Sequence, residues 1–291
     1  MGSPTPTVRA AERRRQDLDL IRAAIVGGLV FYHTACIFAP IGFYVANEPP
    51  NFLMTGFVLF AQLWGMPLLF VVAGSGIWHS LGTRTPARFA RERLSRLLVP
   101  LVTGMLLIVP PQLYYSMLAD GEDPGSYWAF LGSFFDVRPV ASFPLFVGGA
   151  EPDRLFDLAH LWFLYYLFAW SLLLLPVFLW LRGSGQWLTD WLVARCEGPW
   201  GLALMALPVA LIEAAFGTWG PGGWNGYAYL AFLVYGFLFA ADRRLRAAVQ
   251  RRWKQAMAVG LGILPLVAAI AAFDLGGTSW VVGLDYDPWS I

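Results

Sequence analysis

The stretch Asp17–Ala39, DLDLIRAAIVGGLVFYHTACIFA, decides how this chain is read. It is apolar and long enough to cross a bilayer, whose hydrocarbon core takes about 20 helical residues. It nevertheless carries Arg22 near its first end and His33 deeper in. On a helix the eleven residues from one to the other advance about 16.5 Å and turn about 1100°, leaving the two side chains about 20° apart. They share one face, stacked along the membrane normal. Ionisable groups inside a spanning helix are expensive, so they face a protein interior or a watered cavity and mark a function. The remaining segments read as a bundle built around that face.

Composition sets the solvent. The chain is 58% hydrophobic with a mean hydropathy of +0.57, and only 13% of its residues are charged. Apolar surface on this scale needs lipid around it, which excludes an ordinary soluble enzyme. The net charge of +1 says nothing about partners, because the charges are sorted by location, and no nucleic-acid partner is expected. Cys36 lies in the first apolar segment and Cys196 in a loop far from it, so neither a disulfide framework nor a metal site is expected. A basic N-terminus before an apolar run has the outline of a signal peptide. Here the run is too long, holds Arg22 and His33, and is followed by further apolar segments, so it reads as a retained anchor.

Taken in order, the chain predicts an all-α polytopic bundle with about seven spans. Residues 1–16 form a basic tail, with Arg9 and Arg13 to Arg15, which the positive-inside rule places in the cytoplasm. Segments follow at about 18–39, 52–81, 97–117, 160–181, 200–216, 227–241 and 257–273. In the second, Pro67 and Gly74-Ser75-Gly76 predict a bend or tight packing against a neighbour. The basic stretches, Arg84 to Arg96, Arg182 to Arg195 and Arg243 to Lys254, fall on alternate sides of these spans as one topology requires, N-terminus in and C-terminus out. Residues 118–157 make a long acidic outer loop whose aromatics suit a piece lying at the interface.

Each polar residue has a plain reading beside a functional one. Arg22 can snorkel to the inner phosphates or pair with Asp19. His33 can hydrogen-bond between helices, or act as a general base, neutral when desolvated. Arg93 and Arg96, three apart before Pro100, project from one helical face; they set topology or form an anion site. His160 and Trp162 open the fourth segment on the outer side, where His160 and His33 line one chamber if both are functional. Glu213 joins them there or caps its own helix. His79 reads as interfacial and Cys36 as a small apolar filler rather than a nucleophile. There is no P-loop, dinucleotide fingerprint or zinc spacing.

Together these stretches resemble the membrane-bound acyltransferase family 3, which includes O-antigen acetylases and periplasmic glucan succinyltransferases. The resemblance rests on LDLIR with Arg22 ten intervening residues before His33, on MPLLFVVAGSGIW at Met66–Trp78, on RERLSRLLVP at Arg91–Pro100, and on HLWFL at His160–Leu164. It implies transfer of an acetyl or succinyl group from cytoplasmic acyl-CoA, the co-substrate, to a hydroxyl of a cell-envelope or exported glycan. It places the protein in the bacterial inner membrane, with no bound cofactor. Carried over, His33 is the catalytic base or a transient acyl acceptor. Arg22, Arg93 and Arg96 bind the donor's phosphates or steer its thioester inward, while His160 and Trp162 shape the acceptor side. Family members usually have more spans, so residues 17–291 are expected to form the acyltransferase-like domain without the late helices. The rival class is a transporter or exporter of a polar solute or glycan, but the inverted repeats it needs are not visible. A seven-helix receptor shares only the span count.

Overall fold

A computed structural model of the chain describes residues 6–39, 47, 49, 51–136, 156, 158–198, 201–217 and 221–272. Every regular element among them is helical, as the apolar segments predict. The acidic part of the long loop beyond Asp136 and the tail after Ala272 lie outside the described residues.

Helices α1 (Pro6–Cys36) and α2 (Phe52–Leu81) form an antiparallel pair, in which Tyr32 meets Gln62 and Arg22 meets Val72. Residues 6–16 of the basic tail form the first turns of α1. Asn51 caps α2, its Oδ1 accepting from Leu53 N–H at 3.0 Å and Met54 N–H at 3.2 Å. Thr85 caps α3 (Pro86–Arg93) in the same way, with Pro86 in the first turn where a missing N–H is harmless. The predicted third segment therefore begins earlier, and its basic approach is helical.

Between α3 and α4 (Val99–Leu107) the helix widens into a π-turn (Leu94–Leu98). Pro100 has no N–H and its ring crowds the carbonyl of Arg96, so the ladder loosens just ahead of it. The spacing of Arg93 and Arg96 is read for an α-helix; across the wider turn Arg93 is half-buried and Arg96 exposed, and the charge of Arg96 bears on Arg93. Helix α5 (Val109–Ala119) carries Pro110-Pro111, and α6 (Tyr127–Phe134) packs back on it. Phe130 and Phe134 of α6 sit buried against Leu101, Met105, Val109 and Leu113, while Trp128 points outward, as an interfacial piece should.

The fourth segment is broken into α7 (Trp162–Leu173) and α8 (Leu175–Arg182), bent by 51°. Pro176 forces the break by removing a donor and crowding the carbonyl one turn back. Helices α9 (Gln186–Cys196), α10 (Gly201–Phe216), α11 (Gly226–Ala241) and α12 (Arg243–Ala272) complete the chain. Cys196 ends α9 rather than lying in a loop.

The centre of the bundle is the contact between α2 and α11. A Cβ on Gly74 would fall on the Leu233 carbonyl oxygen, and one on Gly236 on the carbonyl oxygen of Val71. Small residues let the two backbones touch, the packing device of membrane helices. Aromatics fill the flanks: Phe70 stacks on Tyr229 with centroids 4.7 Å apart, and Phe178 on Phe237 at 4.5 Å.

Three helical stretches are long and apolar enough to cross a membrane, Asp19–Cys36, Phe52–Leu81 and Pro86–Ala119, or four if the bent α7–α8 pair is one span. Helices α10 and α11, of 16 residues each, reach only about 24 Å, short of the roughly 30 Å of a hydrocarbon core. The expected sixth loop is absent: Arg243 to Lys254 is the first half of α12, continuous with the apolar run read as segment seven. Arg, Ala, Gln and Lys are good helix formers, so nothing stops the helix there.

The bundle is polar end to end. Arg182 donates Nη1–H to the Trp78 carbonyl at 2.7 Å and lies 4.1 Å over that indole, which puts the α8–α9 turn beside the end of α2. The α2–α3 connection and, through Trp78 against Phe237, the end of α11 share that pole. The basic residues of all three connections thus gather at one end. Asn51, Trp224, His33 of α1 and His160 just before α7 lie towards the other.

Candidate functional site

At the far end, His33 and His160 come together with ring centroids 5.9 Å apart and planes inclined at 71°. His33 Nδ1 lies 2.7 Å from the carbonyl oxygen of Leu29, one turn back on α1. A carbonyl only accepts, so Nδ1 holds the proton, and in the neutral ring the lone pair is on Nε2. That tautomer suits a base. His160 is exposed and sits in a single 3-10 turn (Ala159–Leu161) before α7. Ala159 beside it has φ +48°, a left-handed conformation costly for a residue with a Cβ. Strain of this kind persists where the surroundings over-determine it, often at functional positions.

The other acceptor-side candidates are placed differently. The Trp162 ring lies 5.1 Å from Tyr229 and beneath Gly222. Gly222 has φ +75°, and a Cβ there would be 2.7 Å from the Trp162 ring and 2.8 Å from the Tyr229 hydroxyl. Trp162 is a wall between the histidine end and α11. Glu213 Oε1 accepts the Asn225 N–H at 3.1 Å. Asn225 in turn caps α11 and ties back to the Phe216 and Gly217 carbonyls at 3.3 and 3.1 Å. Glu213 thus braces the residue that caps α11, and Tyr229 lies within reach of its charge.

Sequence reading missed three residues that frame His33. Trp224 donates Nε1–H to the Gln62 carbonyl at 3.3 Å, and Gln62 donates Nε2–H to the Tyr32 hydroxyl at 2.9 Å. The Tyr32 ring then meets His33 edge-on at 5.2 Å. A Gln inside an apolar span was the visible signal, since such a group needs a partner in lipid.

At the opposite end of the α1–α2 pair, Arg22 lies 3.4 Å from Asp19, as expected from their spacing, and donates Nη2–H to the Val72 carbonyl at 3.4 Å. Gly76 makes the room: a Cβ there would be 2.8 Å from the guanidinium. The charges of Arg22, Arg84 and Arg96 all bear on Arg93, which stacks 4.9 Å over Phe89. Glu92 is taken by Arg84 at 3.1 Å and Arg88 at 3.0 Å. Among the described residues no carboxylate salt-bridges Arg93 or Arg96. Converging guanidiniums short of counter-charge suit a polyanion. Between the two ends run the α1 backbone and its Arg22–His33 face.

Residues 15–291 match the acyltransferase domain of acyltransferase family 3. The chain belongs to that family. No curated protein and no solved structure matches it. Membership in acyltransferase family 3 makes this a multi-pass membrane protein and an acyl-transfer enzyme, as the resemblance of its motifs implied. Two outcomes follow from the geometry. Gly76→Val, which pushes the Arg22 guanidinium off α2, is expected to raise the KM for donor about 5- to 10-fold, the loss of one charge-assisted contact. Steady-state kinetics in detergent check this. Gln62→Leu removes the amide bond to the Tyr32 hydroxyl and is expected to lower kcat about ten-fold with donor KM unchanged, since misplaced catalytic groups cost rate before binding. Equal loss in both constants would make Gln62 a packing residue only.

Proposed function

We propose that this family member transfers an acetyl or succinyl group from acyl-CoA, bound by phosphate at the Arg22–Arg93–Arg96 end, to a hydroxyl of a cell-envelope or exported glycan at the His33–His160 end. The observation that carries the reading is the Nδ1–Leu29 contact, which fixes the Nδ1–H tautomer of His33, the one suited to a base, at the end of the bundle remote from the arginines. His33 takes the proton of the attacking hydroxyl as its oxygen bonds to the thioester carbonyl carbon. The C–S bond then breaks, and the proton leaves with CoA as its thiol. His160, exposed and 5.9 Å from His33, lies where an acceptor would be held. The basic end is the cytoplasmic one in this reading, and the membrane is the bacterial inner membrane.

Purified protein given acyl-labelled acetyl- or succinyl-CoA and a panel of glycans tests the proposal. Release of free CoA thiol that depends on acceptor, with label recovered on glycan as an ester, is the expected result. Vesicles that accumulate unmodified glycan with no CoA released would instead identify an exporter.

A further inference from the structure

Away from the proposed site, the basic end carries a second surface made by α9 and the first half of α12. The two helices run parallel and in register. Asp190 pairs with Arg244, and seven residues on along each helix Glu197 pairs with Arg251 at 3.8 Å and accepts from Arg252 Nη2–H, through its carbonyl, at 3.2 Å. These contacts hold the basic half of α12 against α9 as one unit. Asp242 closes it by pairing with Arg244 at 2.8 Å.

The unit is strongly cationic. Over residues 186–197 and 242–254, seven Arg and Lys side chains face three carboxylates, leaving +4. The carboxylates are spent on Arg244 and Arg251. Arg195 and Lys254 are exposed, and each lies over an exposed indole instead: Arg195 5.4 Å from the Trp191 ring, Lys254 5.7 Å from that of Trp253. Trp187, 62% exposed, and Trp180, beside it at 6.3 Å, continue the aromatic face. On α9 the outward residues Trp187, Trp191 and Arg195 recur every fourth position, while Thr189, Val193 and Cys196 are buried. Soluble surfaces rarely display four bare indoles. Indoles prefer the headgroup level of a membrane, and cations beside them meet lipid phosphate.

We infer that the α9–α12 rim is a binding surface for the headgroups of anionic phospholipids, with the indoles seated at the interface and Arg195 and Lys254 on the phosphates. Charge complementarity selects this occupant: a zwitterionic headgroup offers no net charge to a +4 surface, whereas an anionic one does. The inference stands apart from the acyl-transfer reading and does not depend on it.

Native mass spectrometry of the full chain tests it, in detergent with an equimolar mixture of phosphatidylglycerol and phosphatidylcholine of the same chain length. Wild type is expected to retain phosphatidylglycerol preferentially, the preference shrinking as salt is raised and unaffected by millimolar inorganic phosphate. R195Q/K254Q, altered only at exposed positions, should lose about 25-fold of that preference, at about 5-fold for each cation near an anionic surface. R88Q, an exposed cation on α3 outside the rim, should keep it. Equal retention of the two lipids by wild type, an unchanged preference in R195Q/K254Q, or an equal loss in R88Q would each overturn the assignment. Displacement by inorganic phosphate would show a free-anion site instead. If the double variant does not fold, R195Q and K254Q singly carry the same test at about 5-fold each.

Discussion

His33→Ala is expected to lower the rate of acyl transfer about 100- to 10,000-fold, the range lost when a positioned general base is removed. The donor KM should change little, because the arginines proposed to bind phosphate lie away from His33, Arg22 about 16.5 Å along α1 and Arg93 and Arg96 on other elements. His33→Gln should be nearly as inactive, since an amide retains the hydrogen-bonding bulk but accepts no proton at neutral pH. His160→Ala should cost less and fall mainly on the acceptor KM, as His160 is exposed and outside the Nδ1–Leu29 arrangement that fixes the tautomer of His33. Kinetics with each substrate varied in turn separate these outcomes. A His33→Ala variant with full turnover would remove the base from the mechanism.

The second large effect is on the fold. Gly236→Val is expected to destabilise the protein by about 3 kcal/mol or more, at or beyond the upper end of overpacking costs. The added Cβ would land on the Val71 carbonyl oxygen, and backbone cannot step aside as a flexible side chain can. Gly74→Val should act alike, through the Leu233 carbonyl. Because α2 carries Val72, which meets Arg22, and Gln62, which orders Tyr32, separating α2 from α11 should also cost activity. Gly27→Ala in α1 is the matched control: a Cβ there meets nothing within 4 Å, and Ala is the better helix former by about 1 kcal/mol. Thermal melting in detergent distinguishes a collapse at 236 and 74 from no loss at 27.

What the sequence made legible was chemistry laid along single helices. Arg22 and His33 stood out because lipid makes each of them expensive, and the structure puts an arginine cluster near one and His160 beside the other. The Gly74-Ser75-Gly76 stretch announced close packing; the structure supplies both neighbours, α11 at Gly74 and Arg22 at Gly76. Features set by the bond ladder were less visible. The π-turn that begins after Arg93 follows from Pro100, whereas spacing arithmetic takes a regular helix through it. Arg243 to Lys254 was read as a loop because its charges were taken for topology, while its helix propensity went unweighed. Tertiary roles were not legible at all. Nothing local says that Trp162 meets Tyr229, or that Gln62 reaches Tyr32 thirty residues away.

The direction of transfer is the central claim, and proteoliposomes address it most directly. Protein is reconstituted, and the fraction of molecules with the α9–α12 end outward is fixed by protease accessibility of the Arg243–Lys254 region. Labelled acyl-CoA is added outside, with acceptor glycan sealed inside. Ester-linked label appearing on the enclosed glycan, in proportion to that outward-facing fraction and absent with His33→Ala, is the predicted result. Label found only when donor and acceptor share one compartment would contradict a path running from the arginine end to the histidine end.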